Sequence, residues 1–322
     1  MSFRQIIIRL IRTKIPDSYN FVEEIMKVFV TGATGFVGTN LCLYLKKQGA
    51  EVYPLCNHTG LVSDTFGNNA VFNTIFGFNT DILKHVDGII HLAANNDTVS
   101  KQGNEMIEAN YYDSKRLFAL ATKYNHKFFV YASSCAVYGK QNCVLDENTK
   151  AKPLNIYAKS KLKFDKYMTK LSPNIKWAGL RLCNVYGPYE EAKGRRMSYL
   201  GSMLQKMLKN ERVELFEDGS QKRDWVYVED VCKAFHKACY TTQNGIFNIG
   251  SGQSISFKDL FELLAINTKY TKEIEWIPNR YEKQYQHFTE VNWEKANKFF
   301  DYKPEFTLDA GIEKYIKFKK NQ

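Results

Sequence analysis

The chain has 322 residues with 44% hydrophobic content, enough for one large α/β domain plus a smaller lobe and too apolar for a disordered chain. Its formal net charge is +11, but Lys and Arg are interleaved with acidic residues, which indicates a solvated surface and no nucleic-acid partner. Seven scattered cysteines without a CxxC pair indicate reduced thiols in a cytoplasmic protein, and we predict no metal site.

Residues 1–25 are predicted to be a basic and apolar extension that precedes the main fold. Residues 1–14 have the composition of a weak interfacial helix, which leaves peripheral membrane contact open, although such segments more often pack on their own protein. Arg9 and Arg12 interrupt the apolar run, so we do not expect a secretory signal. No stretch of the chain approaches the roughly 20 apolar residues of a membrane span, so no integral membrane segment is expected.

From residue 27, short apolar strands alternate with helical stretches, which predicts a Rossmann-type doubly wound parallel sheet. The predicted elements are strands at 27–31, 51–56, 88–93, 127–133 and 177–184, and helices at 37–48, 105–124, 197–209 and 257–266. We divide the main fold into a Rossmann domain, 26–184, and a smaller mixed α/β substrate lobe, 185–322. Parts near 226–250, namely 226–228 and 246–249, are candidates to return to the Rossmann sheet.

A glycine-rich turn joins the first predicted strand to the first predicted helix. Residues 31–38 read TGATGFVG, a GxxGxxG pattern. Gly32 permits a tight turn, Gly35 lets the backbone approach a pyrophosphate, and Gly38 allows close packing of the helix, whose N-terminus faces the phosphates. The turn therefore predicts an NAD or NADP site. The other residues of the turn predicted to contact the cofactor are Thr34, Phe36 and Val37.

The ends of two other strands border the same predicted site. The second strand ends in Asn57 and His58, so it lacks the acid that normally holds the adenosine ribose of NAD, and no Arg replaces it to meet the 2′-phosphate of NADP. Asn57 is predicted to make a neutral contact, and the choice between NAD and NADP stays open. Ala93 ends a strand at the carboxyl edge of the sheet, where ligands bind in open α/β folds.

Three side chains are predicted to carry the chemistry. Tyr157 and Lys161 form YxxxK, and residues four apart on a helix lie on one face. A phenol, with a reference pKa of about 10, needs nearby positive charge to act as a base at neutral pH, and Lys161 supplies it. Ser134 follows a predicted strand and can hydrogen-bond a reacting oxygen. Together with the glycine-rich turn, this combination predicts hydride transfer.

Further segments match one known family. They are KPLNIY at 152–157, NVYGP at 184–188, KG at 193–194, LFE at 215–217, KRDWVYV at 222–228, GIFNIG at 245–250 and YQHFT at 285–289. With these motifs, nearly all of residues 27–318 resembles the extended short-chain dehydrogenases/reductases, and within them the ADP-glycero-manno-heptose 6-epimerases. The resemblance implies a nucleoside-diphosphate sugar as substrate, and we expect a homo-oligomer.

The resemblance also implies roles for individual residues. Ser134, Tyr157 and Lys161 would form the hydride-transfer triad, and Lys193 would be a second catalytic base. The alternative for Lys193 is a solvated loop lysine or a phosphate contact. A base on each side suits epimerisation, because the oxygen presents itself to each base in a different orientation. Gln284 stands where these epimerases tend to offer an Arg to the diphosphate, with Lys283 as a possible substitute. The residues implied to contact the sugar or diphosphate are Asn184, Arg223, Lys283 and Gln284.

The expected function is epimerisation of an ADP- or GDP-linked heptose, or a related sugar, through a keto intermediate. The nearest alternative is a nucleotide-sugar 4-dehydrogenase or 4-reductase on the same scaffold. A more distant one is a non-catalytic NAD(P)-binding regulator, which has no need for Ser134, Tyr157 and Lys161 together. Dehydration is not expected, because Cys135 and Ala136 stand where dehydratases place an Asp-Glu pair.

Overall fold

A computed structural model describes residues 25–74, 77–97, 103–279 and 286–321. Its strands are β1 Lys27–Thr31, β2 Glu51–Cys56, β3 Val71–Phe72, β4 Gly88–His91, β5 Phe128–Ser134, β6 Lys176–Leu182, β7 Asn184–Tyr186, β8 Glu214–Phe216, β9 Lys222–Tyr227, β10 Gly245–Ile249, β11 Ser254–Ser256 and β12 Glu275–Ile277. Seven of these strands form a parallel sheet in the order β10-β6-β5-β4-β1-β2-β3. The predicted Rossmann-type sheet is confirmed.

The α-helices are α1 Phe36–Lys47, α2 Leu61–Phe66, α3 Gly103–Ile107, α4 Asp113–Lys123, α5 Ile156–Met168, α6 Tyr199–Leu208, α7 Val228–Ala238, α8 Phe257–Thr268, α9 Glu294–Phe300 and α10 Leu308–Lys320. Short 3₁₀ segments are Gly67–Asn69, Thr80–His85, Cys135–Tyr138 and Glu190–Arg196. Successive residues of a strand face opposite sides, so Val28 and Val30 pack with α1 and α7, while Phe29 packs with α4 and α5. Helices therefore cover both faces of the sheet.

A second apolar core lies in the C-terminal part of the chain, where residues of α6, α8 and α10 pack together with β7 and β9. A three-stranded sheet, in the order β11-β9-β7, and the pair β12-β8 complete this lobe. The division of the chain at residue 184 stays a proposal, because α7 packs with the Rossmann core although it follows that position.

The two segments that were candidates to return to the Rossmann sheet have different positions. Residues 246–249 lie in β10, which pairs with β6 in the central sheet. Residues 226–228 do not return: β9 pairs with β7 and β11 in the small sheet, and Val228 already begins α7. Their side chains are buried all the same: Tyr227 packs in the core of the small sheet, whereas Val226 and Val228 pack in the core that also contains α1 and α7. The burial of an apolar segment therefore does not indicate which of the two sheets contains it.

Two predicted elements are interrupted. The helix expected at 105–124 contains a π-helical turn, Glu108–Tyr112, between α3 and α4. The strand expected at 177–184 breaks at Cys183, whose N–H donates to the carbonyl of Ile249 at 2.9 Å, and the chain then leaves the central sheet for the small one as β7. Both interruptions lie beside the residues predicted to act on the substrate.

Candidate active site

The glycine-rich turn lies where β1 meets α1. Gly32 has a φ of +68°, and a side chain there would bring its Cβ within 2.6 Å of the Ala93 backbone nitrogen. A Cβ on Gly38 would overlap the Gly32 carbonyl oxygen, so α1 begins directly against the turn. The backbone is thus open at the N-terminus of a 12-residue helix, as a dinucleotide pyrophosphate requires. These glycines fit a nicotinamide dinucleotide.

The end of β2 carries the polar residues predicted for the nucleoside end of the cofactor. The Thr34 hydroxyl donates a hydrogen bond of 2.6 Å to Oδ1 of Asn57. Asn57 is exposed, and the neighbouring His58 uses Nδ1 on the carbonyl of Thr59 at 3.0 Å. Asn57, the predicted neutral contact of the cofactor, is therefore hydrogen-bonded to the glycine-rich turn through Thr34.

Ser134, Tyr157 and Lys161 come together at the ends of β5 and α5. Ser134 is the last residue of β5, and its Oγ accepts the N–H of Ala136 at 3.2 Å. Asn155 caps α5 by accepting the N–H of Ala158 at 2.9 Å, which places Tyr157 in the first turn of the helix. The Lys161 ammonium lies 6.0 Å from the centroid of the Tyr157 ring. The spacing of YxxxK thus brings both side chains to one face.

Burial sets the proton affinities in this group. It raises the pKa of the Tyr157 phenol, which a hydrogen bond with Ser134 partly offsets. Burial also lowers the pKa of the Lys161 ammonium to about 8, against the opposing charge of Asp165. Lys161 nevertheless has a polar partner, because its Nζ donates to the carbonyl of Ala132 at 2.9 Å. That bond ties α5 to the strand that ends in Ser134.

A buried ion pair lies one helical turn beyond Lys161. Asp165 accepts from Nε of Arg181 at 2.9 Å and from the Tyr131 hydroxyl at 3.1 Å. Nη1 of Arg181 donates to the Tyr138 hydroxyl at 2.9 Å. Because both charges are buried and hydrogen-bonded, the pair fixes α5 against β5 and β6 rather than binding a ligand.

A chain of hydrogen bonds crosses from β1 to α5. Thr31 Oγ1 and His91 Nδ1 are 2.7 Å apart, and His91 Nε2 lies 2.9 Å from Ser114 Oγ. Ser114 donates to the carbonyl of Asn110 at 2.9 Å, and the Asn110 amide donates to Ser160 at 2.9 Å. His91 is buried, and burial together with the charge of Lys161 lowers its pKa to about 3. His91 is therefore a neutral link between β1 and α5.

Lys193 lies in the 3₁₀ segment Glu190–Arg196, which approaches the glycine-rich turn. Its ammonium is 5.2 Å from the centroid of the Phe36 ring, at the start of α1, and 3.2 Å from Oε1 of Glu190. At the two ends of the segment, Asn40 of α1 donates to the carbonyl of Pro188 at 2.9 Å, and Arg196 donates to Asn96 at 2.8 Å. Lys193 thus lies near the predicted cofactor rather than on a remote loop.

The residues predicted to meet the sugar or diphosphate lie at the neighbouring strand ends. Asn184 follows Cys183, whose thiol is 3.3 Å from that of Cys135, the residue after Ser134. The Asn184 amide donates to the carbonyl of Asp224 at 3.0 Å. Arg223 is buried, with its guanidinium 5.4 Å from the centroid of the Phe257 ring.

Asp224 orients two loops beside these residues. Its carboxylate accepts from the backbone of Ser251 at 2.7 Å, Gly252 at 3.0 Å and Val291 at 3.2 Å. These bonds bring the loop that follows β10 to the chain near residue 291.

The arrangement agrees with the comparisons with known proteins. Residues 28–250 match the NAD dependent epimerase/dehydratase family. The chain belongs to this family. It is 31% identical over 309 residues to an ADP-L-glycero-D-manno-heptose-6-epimerase of Brachyspira hyodysenteriae, an alignment that covers 89% of this chain and 96% of the relative. The resemblance to nucleotide-sugar enzymes of the extended short-chain dehydrogenase/reductase group is confirmed.

Solved structures of the epimerase/dehydratase family have the same fold. The ADP-L-glycero-D-manno-heptose-6-epimerase of Helicobacter pylori is 29% identical, with a TM-score of 0.81 over 91% of this chain and 96% of that one. The UDP-glucose 4-epimerase of Thermotoga maritima, solved with UDP-glucose, is 26% identical, with a TM-score of 0.83 over 92% of this chain and 99% of that one. The chain is therefore an enzyme, and the non-catalytic alternative is set aside.

Membership of the epimerase/dehydratase family also shows that the cofactor is NAD, one of the two nicotinamide dinucleotides expected from the glycine-rich turn. Within the described ranges, no helix is long and apolar enough to cross a membrane. Across the same ranges, no group of three or more His, Cys, Asp or Glu residues is placed to hold a metal ion.

Some of the predicted residues lie outside the part of the chain that the structure describes. Lys283, Gln284 and residues 1–24 lie outside the described part of the chain, so their predicted roles stay predictions. Conversely, Asn110 and Glu190 lie at the site but were not predicted from the sequence. A polar residue in the middle of a helix was the available signal for Asn110, and the acidic pair one residue beyond the NVYGP motif was the signal for Glu190.

Proposed function

We propose that this enzyme epimerises a nucleoside-diphosphate sugar, most specifically an ADP-linked heptose, through a keto intermediate. The observation that carries the proposal is the position of Lys193. This second group able to transfer a proton lies against Phe36 at the cofactor turn, on a different element from the helix that bears Tyr157. An epimerase needs proton transfer to the same oxygen in two orientations, and two separately anchored groups meet that need.

In the proposed reaction each part of the site has a separate role. The Gly32–Gly38 turn and α1 hold the pyrophosphate of NAD, which, when bound, supplies a nicotinamide that takes up and gives back a hydride. Tyr157 Oη takes the proton of the substrate hydroxyl in one orientation, while Ser134 Oγ hydrogen-bonds the reacting oxygen. Lys161, anchored on the Ala132 carbonyl, supplies positive charge beside the phenol. Lys193 Nζ exchanges the proton in the opposite orientation.

The substrate class rests on sequence similarity and on nearby polar groups. The 31% identity to a heptose 6-epimerase extends over 89% of this chain. Asn184 and Arg223, at neighbouring strand ends, are the proposed contacts of the sugar and the diphosphate, and Lys283 and Gln284 remain proposed contacts from sequence. Free cysteines throughout the described residues support our proposal of a cytoplasmic enzyme. A homo-oligomer also remains a proposal.

The proposal is tested by incubating the purified protein separately with ADP-L-glycero-D-manno-heptose and with its 6-epimer, and following both sugars by NMR. We expect each sugar to give the same mixture of the two, without net reduction of NAD. UDP-glucose serves as the control and should stay unchanged. Release of a keto sugar with one equivalent of reduced cofactor would instead support the dehydrogenase alternative, and inversion of UDP-glucose alone would overturn the proposed substrate.

A further inference from the structure

The segment that carries Lys193 has little regular backbone structure to hold it. Tyr189, directly before it, is in the left-handed conformation with a φ of 64°, and Gly194 within it has a φ of 53°. The 3₁₀ segment is therefore kinked at Gly194, directly after Lys193, and the position of the Lys193 ammonium depends on what its side chain contacts.

Glu190 is the main polar contact of that ammonium. It is fully buried, with 0% of its surface exposed. Oε1 accepts from Lys193 Nζ at 3.2 Å and from the Ser198 backbone N–H at 2.6 Å, and Oε2 accepts from the Ser198 hydroxyl at 3.0 Å. A buried carboxylate is costly unless it is paired and hydrogen-bonded, so these contacts define its orientation closely.

The fold leaves room for this carboxylate at the start of α6. Ser198 is the N-cap of α6, and the positive end of the helix dipole favours an anion there. Gly201, in the first turn of α6, also faces Glu190, because a Cβ at that position would lie 2.6 Å from Glu190 Oε2. Helix α6 therefore holds Glu190 from one side, while Glu190 holds Lys193 on the other.

The second cation near Glu190 is tied to another partner. Lys319 of α10 forms an ion pair with Glu191, which also accepts from the Tyr315 hydroxyl at 3.4 Å. Burial lowers the pKa of Lys319, and the negative charge of Glu190 opposes that shift. Glu190 therefore interacts electrostatically with Lys319 as well as with its ion-pair partner Lys193. The hydrogen bond from Lys193, however, goes to Glu190.

We infer that Glu190 is a positioning residue that holds the Lys193 ammonium at the cofactor turn, and so supports one of the two proton-transfer orientations. The inference rests on the proposed function. Glu190 acts through Lys193 and does not itself touch the substrate, since its carboxylate is enclosed by the Lys193 ammonium and the start of α6. Loss of its charge should therefore weaken only the half of the reaction that uses Lys193.

The test is Glu190→Gln, assayed with ADP-L-glycero-D-manno-heptose and with its 6-epimer. Epimerisation should slow by about 10- to 100-fold, with little change in KM or in the calorimetric Kd of the sugar, because positioning acts on the transition state. Transient reduction of the bound NAD should stay fast from the epimer that meets Tyr157 and slow from the epimer that meets Lys193. A merely structural defect would slow both epimers and lower Tm.

The matched control is Glu191→Gln, which removes the neighbouring carboxylate from Lys319 and should keep both rates. If Glu190 acts through Lys193, adding Glu190→Gln to Lys193→Met should cost no further activity. Should Glu190→Gln fold poorly, Ser198→Ala removes one bond to Glu190 and should produce a milder loss with the same dependence on the epimer. Equal slowing of both epimers, or additive losses in the double variant, would overturn the inference.

A wild-type rate in Glu190→Gln alongside an inactive Lys193→Met would overturn this inference alone. If the wild-type protein inverts neither sugar, the proposed function fails and the inference fails with it. The two failures are thus distinguished by the wild-type and Lys193→Met measurements.

Discussion

The two groups proposed to transfer protons are held in place by different means. Tyr157 lies on a 13-residue helix, α5, that is capped by Asn155 and joined to β5 through the bond from Lys161 to Ala132. Lys193 lies on a seven-residue 3₁₀ segment, whose position depends on side-chain bonds such as those of Glu190. Regular secondary structure fixes one group, and a few polar contacts fix the other. Substitutions near Lys193 should therefore separate the two halves of the reaction.

The largest effect is expected for Tyr157→Phe. The ring is kept and only the oxygen that transfers the proton is lost, so epimerisation should fall by about 10² to 10⁴. NAD should still copurify, because the glycine-rich turn is unchanged. Tyr167→Phe removes a hydroxyl from the same helix and should keep full activity. Near wild-type turnover in Tyr157→Phe would contradict its proposed role.

A more selective loss is expected for Lys193→Met. The methionine roughly preserves the apolar stem against Phe36 but cannot exchange a proton, so net epimerisation should fall by about 10² or more. Cofactor reduction by one of the two epimers should survive. Lys206→Met, in α6, serves as the control and should be nearly neutral. If the variant shows a higher KM with kcat largely kept, Lys193 contacts phosphate and the two-base mechanism is wrong.

The smallest effect concerns the rigid half of the site and is measured as stability. His91 has a pKa of about 3 in the fold, so only the unfolded chain, with a His pKa of about 6.5, gains a proton as the pH falls. The contribution of His91 to the free energy of unfolding should therefore be present above about pH 6.5 and be lost as the pH falls towards 3. The loss between pH 7 and pH 5 should be about 2 kcal/mol.

Chemical denaturation of His91→Gln checks this expectation. Its free energy of unfolding should fall less over the same pH interval than that of the wild type. His58→Gln, in the exposed loop after β2, should keep the wild-type slope. Identical slopes in all three proteins would show that His91 does not stay neutral in the fold.

Features read from local sequence were predicted, and those that depend on distant contacts were not. The GxxGxxG turn and YxxxK are short patterns whose geometry follows from one turn and one helix, so the sequence alone predicts them. Asn110 and Glu190 acquire their roles from partners elsewhere in the fold, such as Ser160 and the start of α6. The pattern of apolar residues likewise predicts that β9 is buried, but not in which sheet.

The anchoring of the Glu190–Arg196 segment has an evolutionary consequence. Since side-chain contacts hold this segment at the site, and the central sheet does not include it, an exchange of residues there alters the surroundings of Lys193 without altering the central sheet. Tyr157 has no such freedom, because its neighbours on α5 also anchor the sheet. Selection for a new stereochemical outcome on this scaffold can therefore act most readily on one short segment, Glu190–Arg196.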